Sequence, residues 1–295
     1  MAVNDHSYII IGGSTKCATS SVFMYLADHP SVSRSKLKES RFFWTGEYPL
    51  KKEQVNYLDG IDKYDQLFED KAGATFRLEA TPDYLYSTKT AQLIHENLKK
   101  VKLIFIFRDP VGRIISWYKF ARQLNLITSD VSIDDYILAQ LNSTNNNPPQ
   151  YMRAVEQCRY QYYLEDYQRI FGTDDILVLK YEDLSKQPIE ATHKVCTFLG
   201  IDESFYNTYD FKIVNQSINI KNAGLYHGYR QMQKILRRKF KHAVPEVIRK
   251  PISRLFKGVD NMYLKNASSD WGEIKISQDV LAQLNSYFES QSAVA

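Results

Sequence analysis

Three short stretches carry the residue types from which an anion site and a proton-transfer group can be built. The first is Gly12-Gly13-Ser14-Thr15-Lys16-Cys17-Ala18-Thr19-Ser20-Ser21. It follows an apolar run and opens an amphipathic one. Such a turn aims several backbone N–H groups, and the positive end of a helix dipole, at one point. Lys16 adds a mobile charge, and the Thr19, Ser20 and Ser21 hydroxyls add donors. This makes an anion cradle. It is not a Walker loop, which would place the lysine directly before the hydroxyl residue. Here Lys16 stands three residues before Thr19. A glycine pair after a strand is also a common turn, so this stretch alone leaves both readings open.

The second stretch is Arg108-Asp109-Pro110-Val111-Gly112-Arg113-Ile114-Ile115-Ser116-Trp117-Tyr118. Arg108 falls at the carboxyl end of an expected strand, the edge at which open α/β sheets bind ligands. Ser116 lies eight residues on, inside the expected helix. A guanidinium and a hydroxyl converging on one phosphate would make a second phosphate site. An Arg–Asp structural pair at a strand end is the plainer alternative. The third stretch is Lys38-Glu39-Ser40-Arg41-Phe42-Phe43. A carboxylate flanked by Lys38 and Arg41 is ionised at neutral pH and able to accept a proton. The alternative is a surface charge cluster ahead of an aromatic anchor. None of the six histidines sits in a motif that marks it as a base, and no Cys/His spacing marks a metal site.

The elements that must position these residues are legible as patterns. Tyr8 to Ile11, Val101 to Phe107 and Ile176 to Leu179 are short apolar runs bounded by turn residues. Such runs suit buried strands of a parallel sheet. Helical patterns cover Thr19 to Asp28, Thr88 to Lys100, Pro110 to Leu124, Arg153 to Phe171, and Ile189 to Leu199. Proline opens the third of these and Gly200 stops the last. Strands alternating with helices predict an α/β fold: a P-loop-like parallel sheet flanked by helices. The expected organisation is one domain, with a core at about 8–201 and a mostly helical part at about 215–295. The polar stretch Asn142 to Pro149 reads as a linker between helices, or as a flap over an acceptor pocket.

Composition bounds the class. The chain has 295 residues, 44% hydrophobic and 24% charged, which excludes collagen-like, disordered and disulfide-scaffold proteins. No apolar run reaches the roughly 18 residues of a membrane span. Residues Met1 to His6 show no basic region ahead of an apolar one, so no secretory signal is expected. Cys17, Cys158 and Cys196 are too few for a disulfide framework and point to reducing cytoplasm. A net charge of +4 allows an anionic ligand and does not call for nucleic acid. Between Arg230 and Lys257 basic and apolar residues interleave, with Glu246 as the one acid and Pro245 and Pro251 as breaks. This is either a solvated helix face or a contact for an anionic ligand or a membrane surface.

Taken together, the three stretches resemble the sulfotransferases that use 3′-phosphoadenosine-5′-phosphosulfate (PAPS), above all the heparan-sulfate type and its bacterial relatives. In that family a strand-loop-helix with a central lysine binds the phosphosulfate, and an Arg-Asp-Pro…Arg…Ser segment binds the 3′-phosphate. A Lys-Glu-x-x-Phe-Phe segment supplies a glutamate base. The likeness extends to Glu79-Ala80-Thr81-Pro82-Asp83-Tyr84, to Tyr160, Leu164, Tyr167 and Phe171, and to Tyr181-Glu182-Asp183-Leu184. It runs from about Tyr8 to Ile201.

Carried over, the resemblance implies Lys16 and Glu39 as catalytic residues. It implies Ser14, Thr15, Lys16, Cys17, Ala18, Thr19, Ser20, Ser21, Arg108, Ser116 and Lys221 around PAPS or its product PAP. Arg41, Tyr84 and Tyr160 are implied at the acceptor. Cys17-Ala18 replaces glycines common in relatives, which implies a re-angled loop. Ala80 stands where glycan enzymes carry a lysine, and Arg41 where they often carry histidine. The late Lys-Gly-Arg contact is absent, with Asn215-Gln216-Ser217 to Lys221-Asn222 in its place. The implied reaction needs no metal. The implied acceptor is a small-molecule natural product, otherwise a glycan or lipid precursor. The competing readings are a small-molecule kinase using Asp109 for magnesium, and a non-catalytic PAPS-binding or membrane-peripheral protein.

Overall fold

The computed structural model describes residues 6–45, 55–145, 148–212, 229, 232, 271 and 273–292. The chain falls into two compact units, one within residues 1–113 and 157–215, the other within 114–156 and 216–294.

The first unit holds a five-stranded parallel sheet in the order β2-β3-β1-β4-β5. The strands are β1 (Ser7–Gly13), β2 (Val32–Arg34), β3 (Phe76–Ala80), β4 (Val101–Phe107) and β5 (Ile176–Lys180). Successive side chains on a strand face opposite ways. On β1, Tyr8 and Ile10 join one core while Ile9 and Ile11 join the other. Leu103 and Phe105 of β4 alternate in the same manner with Ile104 and Ile106. Both faces are therefore buried, which is why these strands are continuous apolar runs. Each fully buried aliphatic side chain contributes about 1.5–3 kcal/mol.

Helices close each face. One core takes Ala91 and Ile94 from α3 (Thr88–Asn97) and Tyr163, Leu164 and Tyr167 from α6 (Tyr160–Phe171). It also takes Tyr64 from the short α2 (Ile61–Asp65). The other core takes Val22, Phe23 and Leu26 from α1 (Thr19–Asp28) and Ala191, Val195 and Leu199 from α8 (Pro188–Leu199). The brief α7 (Tyr181–Lys186) adds Leu184. Ser87 caps α3 by accepting from Thr90 N at 3.2 Å, and Gly200, at φ 67°, ends α8.

The α/β reading holds, with four differences in detail. β2 and β3 were absent from the sequence reading because Val-Ser-Arg is short and Phe-Arg-Leu-Glu-Ala is interrupted by charge. The helix expected from Arg153 begins only at Tyr160. Residues Glu156–Cys158 instead form a 3-10 turn, and the Gln157 and Cys158 side chains bond Arg113. Helix α3 stops at Asn97, where Leu98 turns extended. Helix α4 is Pro110–Gln123, one residue shorter than expected.

In the second unit, α5 (Ile133–Leu141) is capped by Ser132, whose Oγ accepts from Asp135 N at 3.1 Å. Trp117 Nε1 donates to Tyr151 O at 3.3 Å, and Tyr118 OH donates to Val131 O at 2.7 Å. The described part of the 142–149 loop is closed at its base, where Gln140 Oε1 accepts from Val155 N at 3.0 Å. Helix α9 (Gln278–Ser292) joins α5, with Ser277 N donating to Asp134 Oδ1 at 3.1 Å. Asn215, Gln216, Ser217, Lys221 and Asn222 lie outside the described residues, as does nearly all of the 230–257 stretch. Among the described residues no helix is long and apolar enough to cross a membrane.

Candidate active site

The loop 14–18 leaves β1 over a point where nothing larger than glycine fits. A Cβ on Gly12 would meet the Phe105 ring at 2.8 Å, and one on Gly13 would meet Leu85 Cβ at 2.7 Å. Lys16 and Ala18 then adopt left-handed backbone, at φ 66° and 62°. That conformation costs an L-residue about 1–2 kcal/mol, so the loop must be held by its surroundings.

Arg113 holds it. This arginine is fully buried. Its Nε donates to Ser14 Oγ and to Thr15 O, each at 3.1 Å. One terminal nitrogen donates to Thr15 Oγ1 at 2.7 Å and to Tyr86 OH and Gln157 Oε1 at 3.0 Å. The other reaches Cys158 Sγ at 3.5 Å. Tyr86 OH also meets Ser14 Oγ at 2.9 Å. The Ser14 and Thr15 hydroxyls are thus engaged with protein groups. Cys17 is fully buried, and burial pushes its thiol up to about 11, so it can offer a ligand only its backbone. Thr19 and Ser21 are also buried, while Ser20 stays half-exposed. Lys16 and Ser20, like Thr15 and Ala18, are partly exposed on the loop. Ala18 caps α1 without a side-chain bond, and its carbonyl accepts from Ser21 N at 2.9 Å.

Charge gathers at the loop. Burial first, then the Arg108, Lys38 and Arg113 charges, pull the Lys16 ammonium down to about 8. Arg108 follows β4 directly, and its guanidinium lies over the Tyr181 ring at 4.1 Å. Asp109 has a separate task. Its Oδ2 accepts from Gly112 N at 2.6 Å, capping α4, and its N–H donates to Glu182 Oε1 at 3.2 Å. The carboxylate on which a magnesium site would depend is therefore a helix cap. Ser116, half-buried, lies on α4 within the second unit.

The 38–43 segment is strung along the end of β3 and the turn after it. Ala80 N donates to Lys38 O at 3.0 Å, Arg41 N to Thr81 Oγ1 at 3.2 Å, and Phe43 N to Tyr84 OH at 3.0 Å. The Ser40 hydroxyl bonds Glu79. Beneath, Phe42, Phe43 and Tyr64 pack with ring centroids 4.8–4.9 Å apart. Above, Glu39 is exposed between Lys38 Nζ at 3.4 Å and Arg41 at 3.2 Å. The surface charge cluster ahead of an aromatic anchor, the plainer reading of this stretch, is thus present.

Tyr84 and Tyr160, expected at the acceptor, both have partners within the fold. Tyr84 is fully buried, and its hydroxyl fixes Phe43. Tyr160 stacks on Phe107 at 4.5 Å, and its hydroxyl is buried without a hydrogen-bond partner among the described residues. Burial raises both phenols well above their usual value. Arg41 stays beside Glu39 and reaches Asp83 at 3.8 Å. Sequence reasoning missed Arg113, Tyr86 and Glu79 as site supports. The signal for Arg113 was present, an arginine in the same motif as Arg108, but its burial was not legible.

Similar proteins agree with this architecture. Residues 7–257 match the sulfotransferase domain family. The bifunctional heparan sulfate N-deacetylase/N-sulfotransferase 1 of Xenopus laevis is 26% identical over 204 residues, covering 65% of this chain and 22% of that protein. The chain thus spans about a fifth of the length of such curated relatives. The membrane-associated sulfotransferase kil1 of Dictyostelium discoideum is 33% identical over 120 residues, 40% of this chain and 23% of that protein. A sulfotransferase structure from Alicyclobacillus acidocaldarius superposes with a TM-score of 0.59 at 21% identity, covering 82% of this chain and 98% of that one, which is a likeness of fold. With the match spanning most of its length, this chain belongs to the sulfotransferase family.

Proposed function

We propose that the chain transfers a sulfuryl group from PAPS to a hydroxyl or amine of a small-molecule acceptor. The observation that supports this most is Lys16, half-buried on the loop that leads into α1 and depressed to about 8 by desolvation and by neighbouring cations. Like charges packed this way are unfavourable until an anion joins them. The residues fit a ligand with two anionic ends.

When bound, PAPS supplies the sulfuryl group. Lys16 and the N–H groups opening α1 hold the phosphosulfate end and oppose negative charge that builds there. Arg108 is assigned to the 3′-phosphate, as is Ser116 by its place in the Arg-Asp-Pro…Ser pattern. Lys221 is assigned to the cofactor by its place in the sequence alone. Glu39, ion-paired with Lys38 and Arg41, accepts the acceptor's proton. Arg41 borders the acceptor. Ala80, where glycan enzymes carry lysine, offers no cation to an acidic sugar, which favours a small acceptor.

The test is a thermal-shift series followed by a mass assay. PAP should raise the melting temperature without magnesium, and a PAPS-dependent mass gain should appear on a metabolite. Stabilisation by Mg-ATP alone would redirect the reading to a kinase. Liposome binding with no response to PAP would redirect it to a membrane-peripheral scaffold.

A further inference from the structure

Glu79 interrupts an otherwise apolar environment. It is fully buried on β3, between the fully buried Leu78 and Ala80, and its register partner on β1 is Ile10. Around the carboxyl stand Ser40 and Glu39 from the 38–43 segment, Tyr64 from α2, and Tyr84 from the turn after β3. The charged neighbour Glu39 repels it. A buried carboxyl without a cation is costly, so a Leu here would be the stable choice.

What the carboxyl does is bind Ser40. The Ser40 hydroxyl donates to Glu79 Oε2 and accepts from Phe42 N at 3.2 Å. Ser40 lies between Glu39 and Arg41, so this bond fixes the root of both charged side chains. We infer that Glu79 is a positioning residue, which through Ser40 holds the segment bearing Glu39. This rests on the reading of Glu39 as the base. Burial pushes Glu79 up to about 7, held back first by the Ser40 bond and then by the Tyr84 and Tyr64 hydroxyls. It therefore ionises near neutrality.

The test uses the full chain with PAPS and an acceptor. Glu79→Leu should lower kcat about 10- to 100-fold while the PAP Kd stays within twofold. Ser40→Ala should lose a similar factor, and the double variant should lose no more than either. Glu79→Gln keeps an acceptor for Ser40. It should recover most of kcat, a rescue that Glu79→Leu lacks. Should Glu79→Leu fail to fold, Glu79→Gln and Ser40→Ala carry the test. An activity-free arm separates this inference from the assignment of the base. The infrared band of the buried carboxyl should vanish in Glu79→Gln, and its titration should move to lower pH in Glu39→Gln. Normal kcat in Glu79→Leu, additive losses, or a carboxyl titration indifferent to Glu39→Gln would overturn the inference. Normal turnover in Glu39→Gln with the titration shift intact would instead remove Glu39 as the base.

Discussion

The 14–18 loop and the 38–43 segment both present charge, but they are built on opposite principles. The loop is held from behind by buried polar groups, with Arg113 and Tyr86 taking its hydroxyls. The segment is held from below by rings, Phe42, Phe43 and Tyr64, with Glu39 exposed above them. An anion cradle works through backbone N–H groups, so its backbone must be fixed, and directional hydrogen bonds do that. A base needs one mobile carboxylate on a fixed root, and here ring packing supports the root alongside the Ser40–Glu79 bond. Polar substitutions should therefore break the first region, and apolar truncations the second.

The largest expected effect is on chemistry alone. Glu39→Gln should lower turnover by roughly 10²–10⁴, the usual share of a positioned base, while PAP affinity holds within about twofold, well under the 1.4 kcal/mol that makes a factor of ten. Loss of PAP binding in this variant would place Glu39 with the loop and erase the contrast. Next comes the anchor. Phe43→Ala should cost about 3–5 kcal/mol in urea unfolding, because its ring is fully buried among three aromatic neighbours. A cost under about 1 kcal/mol would mean the rings do not carry the segment.

Lys16→Ala should lower turnover by about 10²–10³, by analogy with removal of one preorganised donor. Lys16→Arg should fail as well, since a planar fork is not a compact charge. Near-normal turnover in the alanine variant would take the loop out of the mechanism.

Glu79→Gln tests stability against pH. The native state holds a proton on Glu79 up to about 7, whereas the unfolded chain releases it near 4.5. Between those values the native state binds more protons, so the parent loses stability as pH rises through the window. The glutamine variant lacks that loss. It should be more stable than the parent by about 1–3 kcal/mol at pH 8 and show no gain below pH 4.5. An equal difference at both pH values would mean that Glu79 does not titrate there.

The smallest effect is a proton count. Lys16 titrates near 8 in the free protein, below its usual 10.5. A bound anion should raise it again, so PAP binding near pH 8.5 should take up a fraction of a proton. Calorimetry in buffers of different ionisation enthalpy reads this directly. Uptake that persists in Lys16→Ala would assign it to another group.

The sequence determined the parts whose structure depends on their own neighbours. Strand β4 and helix α1 lie where the apolar runs and periodicity placed them, and the ends of α8 and α4 follow from Gly200 and Pro110. The ordered motifs were enough to place the chain in its family. Tertiary structure decided the rest. β2 and β3 are strands because β1 and one another complete their hydrogen bonds, although Val-Ser-Arg and Phe-Arg-Leu-Glu-Ala lack a strand's apolar pattern. Gln157 and Cys158 leave the helical path because Arg113 needs their atoms. Tyr84 was read as an acceptor contact and is a buried post; Arg113 and Glu79 carried no expectation of burial. Periodicity records how a segment lies on the core. Which polar group meets which, across tens of residues of chain, is set only when the packed layers bring them together and exclude water.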